Sequence, residues 1–181
     1  HQIEVKVFRG SEDDVLGRVV NLLKKFQVEI HVEFVGDSPL PDPNIIDEII
    51  GFYLKHTDQY DYVSNGVSIT YPNGMEVNVY PASILIQAET LVSKDDPLRE
   101  HVDIHIYKNS LFRCKCLKAP PYYHRPDIYL EVDTENDFQV VSTIYEHFDK
   151  LGKDHFTLAQ IFDFLDTRPD LIKLNQDVPR R

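Results

Sequence analysis

Two aspartates, each closing an extended run, are the residues best placed to do chemistry. In Val35-Gly36-Asp37-Ser38-Pro39-Leu40 a strand-like stretch stops at a glycine, and an aspartate follows at its tip. Open α/β sheets bind ligands at that place, outside the carboxyl ends of strands. A carboxylate there can hold Mg²⁺ through oxygen and leave coordination sites to water and phosphates. Asp37 can equally organise an Asx-turn with its own backbone, and the residue types leave both readings open. Glu131-Val132-Asp133-Thr134-Glu135-Asn136-Asp137 repeats the arrangement, with an aspartate just ahead of a helix start. Asp37 and Asp133 on neighbouring strand tips can share one metal ion; the alternative makes Asp133 a second cap residue beside Thr134.

A third corner, Phe8-Arg9-Gly10-Ser11-Glu12-Asp13-Asp14, stands before a helical stripe. Amides at a helix start suit an anion or the polar edge of a base. The acidic residues there argue against a phosphate, so a pyrimidine read by Arg9 and backbone groups fits better, with simple capping by Ser11 as the alternative. His101, Asp103 and His105 have a spacing that can begin a metal site, but no third-ligand pattern stands nearby. His101, beside Arg99 and Glu100, reads more readily as structural than as an acid–base group. The sequence holds no phosphate-binding P-loop, no serine-hydrolase elbow and no zinc-protease helix motif.

The elements that must position these residues follow from periodicity and punctuation. Residues 3–8 read as a short strand. Ser11 caps a helix whose apolar stripe is Val15, Leu16, Val19, Leu22, Leu23 and Phe26, with Asp14 in the capping-box position. Residues 28–34 alternate, which predicts a strand with Glu29, His31 and Glu33 on a polar face. Residues 36–44 carry three prolines and form a loop that ends in the cap Asp42, with Pro43 at the first helical position. Strands are expected over residues 60–64, 67–71, 75–80, 111–117 and 128–132, with Pro72-Asn73-Gly74 as a turn. Helices are expected over residues 82–91, in short form over 96–101 behind Pro97, after Thr134 with Asp137, and after Thr157 with Gln160. Residues 102–107 are ambiguous, and 119–126 read as a loop. Strands alternating with helices predict an α/β sheet, mostly parallel and flanked by helices, in a single domain over residues 1–175 with a tail at 176–181.

Bulk properties narrow the classes. A chain of 181 residues suits one domain with a real core. Its 19 basic and 30 acidic residues give a net charge of −11, which repels phosphate backbones and speaks against nucleic-acid binding. No apolar run is long enough to span a bilayer, and no secretory leader opens the chain. Cys114 and Cys116 are one residue apart, too close for an unstrained disulfide and too few for zinc. The expectation is reduced thiols in a cytosolic protein.

Several segments taken together resemble the cytidylyltransferase family of spore-coat polysaccharide biosynthesis protein F, related to the CMP-Kdo and acylneuraminate cytidylyltransferases. They are FRGSEDDVLGR at 8–18, GDSPLPDPNIIDEII at 36–50, DYVSN at 61–65, NGMEVNVY at 73–80, REHVDIHIYKN at 99–109 and VDTENDF at 132–138. FTLAQIFDFLDTRPDLIKLN at 156–175 is similar to the family's closing helices. The resemblance implies a Rossmann-like, GT-A-like nucleotidyltransferase sheet and a homodimer through residues 75–125. It implies Mg²⁺ as cofactor and CTP and a sugar or sugar acid as partners, with pyrophosphate leaving. By the same resemblance Asp37 and Asp133 fall on the catalytic, metal-binding aspartates, and Arg9, Ser11 and Asp37 on the nucleotide side. Asn65, Glu76, Glu100 and His101 fall on the sugar side.

The chain also departs from the family pattern. Glu33 stands where the family often has Arg, Val35 where it has Thr, Asn73 where it has Asp, Asn78 where it has Glu, Tyr129 where it has Arg and Glu131 where it has Thr. The family's opening strand and phosphate-gripping loop have no counterpart before His1. The sequence therefore reads as roughly the C-terminal three-quarters of such an enzyme, expected by itself to bind CTP weakly and to be inactive. A non-catalytic module built on the same sheet is the alternative. A nucleotide-sugar glycosyltransferase is disfavoured, since no Asp-x-Asp pair sits at a strand end.

Overall fold

Four short strands form the centre of the chain, and helices cover both of their faces. The computed structural model describes residues 5–176. Helix α1 (Val15–Phe26) leads into β1 (Ile30–Glu33), and α2 (Pro43–Lys55) into β2 (Tyr62–Ser64). Strand β3 (Asn78–Pro81) runs directly into α3 (Ala82–Thr90). A 3₁₀ turn (Pro97–Glu100), α4 (Ile104–Tyr107) and β4 (Cys114–Cys116) follow. A second 3₁₀ turn (Pro121–Tyr123) precedes α5 (Glu135–Lys150), α6 (Leu158–Asp166) and α7 (Pro169–Gln176).

The two-residue period of the strands divides the interior into two cores. Val63 and Val79 face one side, where they meet Ile45, Ile49 and Tyr53 of α2 and Val140, Ile144 and Phe148 of α5. Tyr62 and Tyr80 face the other side, with Leu16, Val20 and Leu23 of α1 and Leu85 of α3. Asp42, 3% exposed, joins two helices on the first side. One oxygen accepts the Asn44 amide at 2.9 Å and the other the Leu158 amide at 2.8 Å, so a single carboxylate caps both α2 and α6.

The α/β architecture matches the expectation; the strand directions correct it. The spatial order is β1-β3-β2-β4. Strand β3 is antiparallel to both β1 and β2, and β4 alone pairs in parallel, with β2. The sheet is therefore mixed rather than mostly parallel. Its polar strand β1 lies at an edge of these pairings, where an alternating pattern is ordinary.

Two expected strands form no ladder. Residues 67–71 leave Val67 and Ile69 exposed, and the Thr70 hydroxyl only accepts the Ala119 amide, at 3.0 Å. Residues 128–132 form an isolated bridge, Tyr129 with Asn73, and lie between loops. Asn73 bonds across to Ile128 and Leu130, and the Val132 amide bonds to Asp37. The four strands that do form are shorter than expected, at residues 30–33, 62–64, 78–81 and 114–116. Residues 5–8 are irregular, and the rest of the expected first strand lies outside the described residues, as do 177–181 of the expected tail. Helix α1 starts at Val15, four residues beyond Ser11, because Asp14 is its cap and accepts the Gly17 amide at 2.8 Å. Ser11 serves one step earlier, with its hydroxyl accepting the Asp14 amide at 3.0 Å. The caps at Asp42, Thr134 and Thr157 match expectation, the last two as full capping boxes. Both cysteines are unpaired, and burial pushes the Cys114 thiol up to about 11.

Candidate functional site

Neither aspartate sits at a strand tip, since β1 ends at Glu33 and residues 128–132 form no ladder, but the loops that carry them meet through their backbones. The loop after β1 presents the Asp37 carbonyl to the Val132 amide at 2.8 Å. Asp133 is the next residue along. Its own amide donates to Asp137 Oδ2 at 3.3 Å, and the Thr134 amide donates to the same oxygen at 2.9 Å. Asp137 is wholly buried, and its other oxygen accepts from Asn175 Nδ2 at 2.8 Å. This network fixes the corner, and the Asp37 and Asp133 side chains are both exposed.

Glu76 adds a third carboxyl to this neighbourhood. Its Oε2 accepts the Gly74 amide at 2.7 Å. Gly74 has φ +94°, and a Cβ there would stand 2.8 Å from the Leu130 carbonyl carbon, so only glycine lets the turn pass so close to the 128–132 segment. Burial raises the pKa of Glu76, and the charge of Asp37 raises it further. Among the described residues, no group of three or more His, Cys, Asp or Glu is arranged to hold an ion. The exposed pair Asp37 and Asp133 nevertheless fits Mg²⁺, which takes one or two carboxylates and draws its other oxygens from water and phosphates.

Glu76 also lines a cavity of about 200 Å³ with Tyr62, Ser64, Asn78, Asp103 and Tyr107. Residue types alone did not reveal this group. The Tyr62 hydroxyl donates to Asp103 Oδ2 at 2.5 Å, and the Tyr80 hydroxyl donates to Glu33. The two phenol rings stack with centroids 5.6 Å apart. His31 Nε2 lies 3.6 Å from Glu33 Oε2. Burial raises Asp103 to about 6, with the Glu33 charge adding to it. Burial also raises both phenols, and the charge of each one's carboxylate neighbour adds to it, so they remain protonated donors. The available signal was two tyrosines in the central strands beside an edge strand that carries His31 and Glu33.

The corner at 8–14 sits at the start of α1. Arg9 and Ser11 are exposed, and Arg18 Nη1 donates to the Ser11 carbonyl at 2.6 Å. Behind them Arg99, 2% exposed, donates to Asp14 at 2.9 and 3.1 Å and to Glu89 at 2.9 Å. The hydrogen bond from Arg99 holds Asp14 below the usual carboxylate range, against the opposing effect of burial. A second cavity, about 370 Å³, opens here between Asp14, Lys94, Arg99 and Glu100.

The four residues expected on the sugar side are thus spread out. Glu76 lines the inner cavity, whereas Glu100 lines the cavity at α1. His101 is exposed, 3.5 Å from Glu100, and its charge reaches Asp103. Asn65, 2% exposed, donates to the Met75 carbonyl at 2.8 Å and accepts the Val77 amide at 2.7 Å. Its amide is fully used to hold the loop that carries Glu76. His101, Asp103 and His105 do not converge, because His105 turns to the Leu98 carbonyl and Asp103 to Tyr62.

Known proteins supply independent bearings. A family model described as cytidylyltransferase matches residues 1–163. An uncharacterised protein of Methanocaldococcus jannaschii, MJ1063, is 35% identical over 182 residues, covering 100% of this chain and 71% of that protein. The spore coat polysaccharide biosynthesis protein SpsF of Bacillus subtilis is 28% identical over 167 residues, covering 91% of this chain and 66% of its own length. A solved structure of a cytidylyltransferase from Leptospira borgpetersenii shares the fold at TM-score 0.83 and 22% identity, over 96% of this chain and 70% of that one. No helix among the described residues is long and apolar enough to cross a membrane.

Proposed function

The chain belongs to the cytidylyltransferase family, and on that premise we propose that it transfers the cytidylyl group of CTP to a sugar for polysaccharide synthesis, with Mg²⁺ held by Asp37 and Asp133. The observation that carries this reading is the bond from the Val132 amide to the Asp37 carbonyl, which joins the loops bearing two exposed aspartates. The ion, when bound, supplies charge neutralisation for phosphate oxygens.

The chain's own groups divide the remaining work. The corner with Arg9 and Ser11 faces the base, with donors and acceptors in place of a phosphate grip. Glu76 and the inner cavity take the sugar, next to Asp37. A sugar hydroxyl held there attacks the α-phosphorus, and the bond to the departing pyrophosphate breaks. Such transfer depends on positioning and electrostatics more than on covalent chemistry. SpsF carries spore coat polysaccharide biosynthesis in its name, which supports the polysaccharide assignment. Calorimetric titration with CTP tests the reading. The expected affinity is at least about tenfold higher with Mg²⁺ than with EDTA, a difference of ~1.4 kcal/mol. Equal affinities under the two conditions would sink it.

Assembly as a homodimer through residues 75–125 belongs to the same reading. Leu91, Leu111 and Tyr122 stand exposed in that segment and can form a self-complementary patch. Light scattering should report twice the chain mass, and a monomer at high concentration removes the dimer.

A further inference from the structure

The inner cavity has walls specific enough to choose among sugars. Its lining, among the described residues, contains the carboxyls of Glu76 and Asp103 and no lysine or arginine. A third carboxyl, Glu33, lies behind Tyr80 and close enough to Asp103 for its charge to be felt there. Two histidines stand nearby. His31 is committed to Glu33, and His101 stands exposed beside Glu100. The Tyr62 and Tyr80 hydroxyls do not relieve the acidity for a ligand, because Tyr62 already donates to Asp103 and Tyr80 to Glu33. Ser64 is likewise engaged, donating to Asn78 Oδ1 at 2.7 Å and accepting the Gly66 amide at 2.8 Å.

Size and shape add to charge. The cavity, about 200 Å³, is smaller than the pockets that hold drug-sized ligands and suits a single sugar ring. Tyr62 and Tyr107 form an aromatic wall with centroids 6.3 Å apart, against which the apolar face of such a ring can lie. Glu76 belongs both to this lining and to the neighbourhood of Asp37, so a ring seated here is next to the transfer centre.

We propose that the cavity selects a sugar without a carboxylate, and prefers one bearing an amino group over a neutral one. This rests on the cytidylyltransferase reading and narrows it, because the wider family resemblance admits sugar acids. A sugar carboxylate placed here would bring a third negative charge beside two half-buried ones, with no lysine or arginine in the lining to offset it. Like charges at such spacing, in surroundings of low dielectric, oppose one another strongly. An ammonium group reverses the sign of the same interaction and replaces solvent as the partner of Asp103 and Glu76. Asp103 and Glu76 would then act as specificity-determining residues rather than catalytic ones.

Three sugars with one hexose frame test this: glucosamine, glucose and glucuronic acid, each titrated into the protein at pH 7 and followed by NMR shifts of Tyr62 and Tyr107. Glucosamine should bind at least tenfold more tightly than glucuronate, with glucose between them. Asp103→Asn and Glu76→Gln should each narrow the gap between the first and last, and the second variant guards against a folding defect in the first. Glucuronate binding as tightly as glucosamine overturns the inference. So does the absence of binding by all three, or an unchanged gap in both folded variants. CTP titrated into the same wild-type sample reads the cytidylyltransferase assignment by itself. Loss of CTP binding with the sugar order intact would sink that assignment and leave the cavity's selectivity standing.

Discussion

At the end of the sheet Asp37 and Asp133 stand exposed, while on the α1 side Glu33 and Asp103 each receive a proton donor from a tyrosine. The four side chains are chemically close, yet their surroundings give them different work. Exposed carboxylates keep their oxygens available to a hydrated cation and its phosphates. Each carboxylate under the stacked phenols accepts a tyrosine hydroxyl on one oxygen, and its charge adds to the negative field of the cavity. Glu76 lies between the two groups, near Asp37 at one end and in the cavity at the other. The contrast implies that interior substitutions change stability and sugar preference, while rim substitutions change metal-dependent binding and little else.

The loop joining the two regions gives the largest expected change in stability. Asn65→Leu removes the acceptor of the Val77 amide and the donor to the Met75 carbonyl, both in buried surroundings. Each orphaned backbone group costs about 1–3 kcal/mol, so a loss on the order of 4 kcal/mol is expected in denaturant unfolding. A loss below about 1 kcal/mol would show that the loop holds Glu76 without Asn65, and the two regions would then be less tightly joined than described.

The pH dependence of stability separates interior from rim next. Asp103 rises from 3.8 to about 6 in the folded protein, mainly through burial, with the Glu33 charge adding to it. A carboxyl whose folded pKa is raised contributes stability that is complete below the unfolded value and is lost as pH climbs through the folded one. At ~1.4 kcal/mol per unit, wild-type protein should lose on the order of 3 kcal/mol from this group between about pH 4 and pH 7. The hydrogen bond from Tyr62 and the nearby His101 charge, both favouring ionisation, are already contained in that net shift. Glu76 is raised too and slopes the same way. Asp103→Asn should therefore flatten the profile of unfolding free energy between pH 4 and 7. A slope equally steep in the variant would mean that Asp103 is not the group titrating there.

The same contrast explains which features were legible in the sequence. Local chemistry was readable: Asp42 with Pro43, Thr134 with Asp137 and Thr157 with Gln160 cap helices as their spacing requires. The two aspartates were legible as residues that follow apolar runs, but neither closes a strand of the sheet, since β1 ends at Glu33 and residues 128–132 form no ladder. Asp37 and Asp133 lie at neighbouring corners. The interior cluster was not readable, since Tyr62 meets Asp103 across 41 positions and Tyr80 meets Glu33 across 47. No short window contains both partners of either bond. Strand direction failed for a related reason. Alternation marks residues 28–34 as a strand, but only the placement of β3 between β1 and β2 decides that both of those pairings are antiparallel. Residues 128–132 have the composition of a strand and become a connector because loops, not strands, lie beside them.

The rim supplies the smallest stability effect and the sharpest test of how its two aspartates act. Asp37→Asn and Asp133→Asn alter exposed side chains, for which changes within about 0.5 kcal/mol are usual. Asp133 lies just ahead of α5, so its loss also forfeits part of a favourable helix-dipole interaction, a few tenths of a kcal/mol at such exposure. In CTP titrations with Mg²⁺, each single variant should lose at least about tenfold in affinity, ~1.4 kcal/mol. The double variant decides between two arrangements. If the aspartates act on separate groups, their losses add and the double variant falls about a hundredfold. If they hold one ion, the first substitution already removes most of what the second could, and the double variant falls scarcely further than the weaker-binding single one. Non-additivity of this kind is the mark of residues that act through a shared partner. The backbone contact between Asp37 and Val132 favours the shared ion, so a double-variant loss well short of a hundredfold is expected. Simple additivity, with EDTA affinities unchanged throughout, would separate the two aspartates and leave Asp133 as a cap-side residue of α5.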